Sequence, residues 1–159
     1  MSEGATKRGR VVAVCIGEGG IPKHPVDGAT CGPLGLEGDG HRFHLHGGER
    51  RALCLLAVEE LARLEAEGIG GPAGLAPGSF GENLLVEGLD VDALRPGHRL
   101  AFEGGGERVV CELFDVRSPC KTLTAVDPRL PDLMLGRSGF VARVLEPGRL
   151  APDMEVRVL

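Results

Sequence analysis

Val109-Val110-Cys111-Glu112-Leu113-Phe114-Asp115-Val116-Arg117-Ser118-Pro119-Cys120-Lys121 decides how the rest of the chain is organised. The run from Val109 to Val116 is strongly apolar and predicts a buried β-strand. The strand delivers a cysteine to its end, stiffened by Pro119 and flanked by Arg117 and Lys121. A thiol needs such cations to become a thiolate, the form that acts as nucleophile or metal ligand. The competing account is a proline turn with an idle, half-buried cysteine.

Outward from this strand, short apolar runs recur between Gly and Pro turns. Gly104-Gly105-Gly106 makes a hairpin from the strand ending at Phe102 into the 107–116 strand. Gly139 to Leu145 predicts another strand, Pro147-Gly148 a turn, and Met154 to Leu159 an alternating final strand. Between Cys120 and Gly136 the pattern is irregular, with room for a helical turn. On the N-terminal side lie a short strand at Asn83 to Val86 and a buried strand at Ala52 to Val58. The latter runs into the clearest helix, Glu59 to Gly68. There Val58, Leu61 and Leu64 share a face, and the charged face is expected to be solvated. Arg10 to Ile16 predicts the first strand, after a flexible tail over residues 1–9. The predicted class is mainly β. A closed or partly closed barrel over residues 10–159, one domain with one clear helix and long loops, buries the sheet edges.

Composition narrows the function. The chain has 159 residues, a formal net charge of -5, 42% hydrophobic residues, and neither Trp nor Tyr. That balance argues against a nucleic-acid partner. No apolar run has the length of a membrane span and the N-terminus lacks a signal-peptide core, so a cytoplasmic protein without a membrane partner is expected. Arginine far outnumbers lysine among the 18 basic residues. Arginine suits bidentate recognition of phosphate or carboxylate, although base composition can produce the same bias. The five cysteines form no CxxC pair. Cys15, Cys54 and Cys111 fall in apolar runs and are expected in the core, leaving Cys31 and Cys120 in loop-like sequence.

Two further clusters carry polar chemistry. The loop-rich region from Ile21 to Gly48 holds Asp39, His41, His44 and His46, and a loop this long in a compact domain is expected to be functional. Its glycines would let backbone N–H groups approach an anion. A zinc site on His41, His44, His46 and Cys31 is the alternative, though the spacing matches no zinc motif. Gly78 to Leu84 brings Phe80, Gly81 and Asn83 to a strand start. Glycine permits a sharp bend there and the Asn amide offers donor and acceptor. Taken alone, it reads better as a structural turn before a strand.

Taken in order, Gly35-Leu36-Glu37-Gly38-Asp39-Gly40-His41, His46-Gly47-Gly48-Glu49-Arg50-Arg51-Ala52, Phe80-Gly81-Glu82-Asn83-Leu84 and Arg117-Ser118-Pro119-Cys120 resemble the MOSC domain. This family is named for the C-terminal domain of molybdenum-cofactor sulfurases. The resemblance implies a barrel-like fold and a molybdenum cofactor (molybdopterin), or a sulfur destined for it. It implies Cys120 as catalytic residue and molybdenum ligand, or as persulfide carrier. It also implies a cofactor site lined by Asp39, His46, Gly47, Gly48, Arg51, Phe80, Gly81, Asn83, Arg117 and Lys121. An anionic pterin phosphate gives Arg51, Arg117 and Lys121 a task. Two functions follow from the resemblance. One is a reductase of small N-hydroxylated substrates fed by an electron-donor protein. The other is a sulfur carrier or cofactor-handling module loaded by a cysteine desulfurase.

Overall fold

The computed structural model describes residues 8–18, 21–40, 52–119 and 121–159. The apolar run from Val109 to Val116 lies in the strand Glu107–Val116, the eighth in chain order of the eleven among the described residues (β8). Its alternation decides which way it faces: Val109, Cys111 and Leu113 are buried in one core cluster. Antiparallel to it run β7 (Arg99–Gly104) through the Gly105-Gly106 hairpin, and β9 (Phe140–Glu146).

The sheet continues from β9 through β5 (Leu53–Ala57) and β6 (Leu84–Glu87) to β1 (Arg8–Ile16). On the other side β7 pairs with β11 (Glu155–Val158), and β11 pairs with β1. Seven strands therefore close into a barrel, which leaves no open edge among them. β5 and β6 are the parallel pair, because the helix α1 (Val58–Ala66) carries the chain back between them. β1 changes partner along its length. Arg8 to Arg10 pair with β11, whereas Val14 to Ile16 pair with β2 (His24–Val26). The only other α-helix among the described residues, α2, is the single turn Leu130–Leu133.

Alternation divides the core in two. Leu53, Leu55, Leu84, Val86, Leu100 and Phe102 fill the barrel. Ala13, Cys15, Leu56 and Leu85 point outward from β1, β5 and β6. They are covered by Leu61 and Leu64 of α1, by Phe80, and by Leu123, Leu130 and Met134. The Phe80 turn and the segment after residue 120 are thus laid on one outer face of the barrel.

Four expectations need correction. Arg8 and Gly9, assigned to the tail, lie in β1 and pair with Arg157 and Val156. The loop-rich region holds β2, β3 (Ala29–Gly32) and β4 (Gly35–Leu36), because strands of two to four residues carry too little periodicity to be seen in sequence. Gly148, expected in a turn, begins β10 (Gly148–Leu150), which pairs with β3 in a second, three-stranded sheet. The charged face of α1 is not all solvated. Glu60 is buried and accepts two bonds from Arg137, at 2.9 and 2.7 Å, which pins the turn before β9 to the helix.

Candidate functional site

The turn Gly78–Asn83 is the hub of the site. It enters β6 at Leu84, and its bend depends on Gly78, whose φ is +88°. A Cβ there would stand 2.0 Å from the Lys23 carbonyl oxygen, so only glycine lets the two backbones meet. The Lys23 N–H closes this contact by donating to Gly78 O at 2.9 Å.

Asn83 ties three strands together. Its Oδ1 accepts from the Cys54 N–H at 2.9 Å, and its Nδ2 donates to Cys15 O at 3.2 Å and to Asp39 Oδ2 at 2.9 Å. Its backbone N–H donates to Cys54 O, and its carbonyl accepts from the Cys15 N–H. Asp39 in turn accepts from the Gly17 N–H at 3.0 Å and from Lys23 Nζ at 2.8 Å. Lys23 and Asp39 make an ion pair whose side chains are only 7% and 2% exposed. Asp39 stands just before residue 41 and Cys54 just after residue 51. The two ends that bracket the undescribed 41–51 segment are therefore fastened to one amide.

Glu82 completes the turn from inside. It is fully buried, and its carboxyl oxygens accept from the Gly78 N–H at 2.6 Å and the Phe80 N–H at 3.2 Å. Burial pushes its pKa up, and the backbone donors and the Arg117 charge oppose that shift. Phe80, 1% exposed, is held in the outer core, and its carbonyl accepts from Arg117 Nη2 at 2.6 Å. The Arg117 N–H donates to Gly139 O at 2.9 Å, so the residue after β8 is fixed at both backbone and guanidinium.

Of the residues expected at the site, the structure brings together Asp39, Phe80, Gly81, Asn83 and Arg117. Asp39, Phe80 and Asn83 are buried and spend the contacts above on other parts of the chain, so they hold the frame of the site. Arg117 is half-buried, and among the described residues Phe80 O is the acceptor of its guanidinium. Lys121 begins a 3-10 turn, Lys121–Ala125. His41, His44, His46, Gly47, Gly48, Arg51 and Cys120 lie outside the described residues. Cys31, expected in a loop as a zinc donor, is instead fully buried in β3 in the barrel core. Burial pushes its thiol up to about 12. Cys15 and Cys111 are core thiols raised to about 12 in the same way.

Sequence reasoning missed Lys23, and it held Glu82 within the Phe80 to Asn83 motif without giving it a role of its own. Both lie beside apolar or Gly/Pro-rich residues, and only a lone charge in such a setting marked them. It also missed a cavity of about 310 Å³ lined by Leu55, Leu56, Val116, Gly139 and Phe140, with Arg95 at its side. Val116 and Gly139 are neighbours of Arg117 in the chain and in its backbone hydrogen bond, so the cavity adjoins the candidate site. None of the expected site residues that the structure describes lines it.

Comparison with known proteins agrees with this geometry. The family model described as the MOSC domain matches residues 42–157. The chain is 31% identical over 148 residues to the uncharacterised protein YflK of Bacillus subtilis (strain 168), covering 89% of this chain. It spans 64% of the length of that relative. The crystal structure of YiiM from Geobacillus stearothermophilus superposes with a TM-score of 0.74 at 25% identity, over 95% of this chain and 75% of that one. YiiM from Escherichia coli gives a TM-score of 0.71 at 29% identity, over 96% and 69% respectively.

Proposed function

The chain belongs to the MOSC domain family, which is generally linked to molybdenum-cofactor binding, and from that premise we propose that it binds a molybdenum cofactor and reduces N-hydroxylated compounds. The observation that carries the reading is Arg117. Its guanidinium is aimed by Phe80 O beside a buried acid, and it stands three residues before Cys120. This donor set fits a phosphate-bearing molybdenum cofactor. A charged fork suits the phosphate, and a soft thiolate suits the metal.

In this reading Cys120 Sγ holds the metal, and Arg117, Lys121 and Arg51 take the phosphate. The bound group supplies the redox chemistry. Asp39 and Asn83 keep the ends of β1, β5 and β6 in place, so the residues that touch the ligand need not reorganise when it binds. The cavity beside Val116 and Gly139, lined by Leu55, Leu56 and Phe140 and also by Glu60, Asp92, Arg95 and Arg137, offers a place for the body of a small substrate. Electrons come from a separate donor protein. Among the described residues no helix is long and apolar enough to cross a membrane.

The test is expression in cells that make the cofactor, followed by measurement of bound molybdenum and pterin. The parent is expected to carry both, and Cys120→Ala to lose the metal and the reduction of N-hydroxylated bases. A parent purified without molybdenum or pterin, and inactive on those bases, would sink the proposal.

A further inference from the structure

Glu82 is the most deeply buried carboxyl residue among the described ones. Its two oxygens meet backbone N–H groups, from Gly78 and Phe80, rather than a cationic side chain. Burying a carboxyl group is costly, and two neutral hydrogen bonds repay only part of it. A turn this short could be closed by a neutral acceptor at lower cost. What the carboxyl group does beyond closing the turn is hold the Ser79–Phe80 amide, and with it the backbone torsions of Phe80 that direct the next carbonyl. With the Phe80 N–H drawn toward Glu82, the Phe80 side chain packs in the outer core, and its carbonyl receives Arg117 Nη2 at 2.6 Å. Lys23 and Asn83 hold the two ends of the same turn. The Arg117 guanidinium is also close enough for the two charges to act on each other.

We infer that Glu82 is the positioning residue of the site: through the backbone of Phe80 it sets the direction of the Arg117 guanidinium toward an anionic ligand group. The inference rests on the reading that Arg117 contacts the phosphate of the cofactor. Glu82 itself touches no ligand. Removing it lets the Phe80 carbonyl turn, and Arg117 then samples several directions where it had one.

The experiment uses the full chain as apoprotein, with Glu82→Gln, Glu82→Ala, Arg117→Ala and the double variant Glu82→Ala/Arg117→Ala. Two quantities are read: affinity for purified molybdenum cofactor by pterin fluorescence, and the Nε–H resonance of Arg117 by NMR. Arg117→Ala is expected to weaken binding about ten-fold or more, as loss of a charge-assisted pair does. Glu82→Ala is expected to approach that loss, and the double variant to bind no more weakly than Arg117→Ala alone, because one acts through the other. Glu82→Gln retains the shape and one acceptor, so it folds and is expected to lose less affinity. It should still shift and broaden the Arg117 resonance. An unchanged Arg117 resonance in folded Glu82→Gln, or fully additive losses in the double variant, would overturn the inference. If Arg117→Ala binds as the parent does, the phosphate assignment fails, and the Arg117 resonance still decides whether Glu82 positions it.

Discussion

An ammonium and a carboxylate taken out of water together gain their mutual attraction but lose hydration, and at Lys23 and Asp39 both are nearly inaccessible. Such a pair adds little net stability, whereas breaking it leaves one buried charge alone. Lys23→Met is therefore expected to lower stability by about 3–5 kcal/mol. Lys23→Met/Asp39→Asn should recover part of that loss, since no unpaired charge remains and Asn can still accept from the Gly17 N–H, while its own NH2 replaces the oxygen that accepted from Asn83 Nδ2. Urea denaturation of the parent, the single and the double variant checks this. If the double variant is no more stable than the single, the account fails. Glu82 makes a different prediction, in pH. Burial raises its pKa above the ordinary 4.5, so the folded protein keeps a proton that the unfolded chain has lost. The stability from this group is fully present below 4.5. It falls as pH rises from there to the raised value, then levels. Glu82→Gln removes that slope while starting lower, because Gln leaves one buried N–H without its acceptor, at about 1–3 kcal/mol. Parallel stability–pH curves for parent and variant would contradict it.

At the level of elements, the site depends on how the segments between strands are fastened. The turn before β9 is fastened twice. Arg137 reaches Glu60 and Glu67 of the α1 region, and Gly139 carries the carbonyl that receives the Arg117 N–H. Gly139 has φ +77°, and a Cβ there would lie 1.9 Å from the Leu55 carbonyl oxygen. Gly139→Ala is expected to cost more than about 2 kcal/mol through backbone strain, and to weaken cofactor binding because Arg117 moves with it. Arg137→Ala is expected to cost about 1–3 kcal/mol, because Glu60 is left buried with only a 3.6 Å contact to Arg63. Its effect on binding should be small. Thermal denaturation paired with cofactor titration separates the two. A Gly139→Ala protein that binds like the parent would contradict the link between this turn and Arg117.

The whole molecule is a closed ring of strands, and its seam is β1 against β11. Val156, fully buried in β11, plugs that seam. Val156→Ala is expected to lower stability by about 2 kcal/mol in one cooperative transition, since a barrel cannot open one pair without exposing its core. A biphasic unfolding curve would argue against such closure. Much of this was legible in the chain. Val109 to Val116, Ala52 to Val58 and the α1 face carry long apolar patterns, and burying those patterns demands a closed sheet whatever their neighbours are. The family order of the motifs around Asp39, Phe80 to Asn83 and Arg117 was legible as well, because short local motifs need no tertiary knowledge. Three-residue strands such as β2 and β10 were not, since they exist only through their partners. Nor was the division of labour within the motifs. Asp39 and Asn83 are tied to the frame, and the Phe80 backbone is held, because Lys23, Cys54 and Glu82 are brought against them. The sequence by itself determined which strands must be buried and where a thiol and a cation end one of them. Which polar groups spend their hydrogen bonds on the fold came from the tertiary structure alone, because satisfying a buried polar group depends on neighbours that the chain supplies from elsewhere.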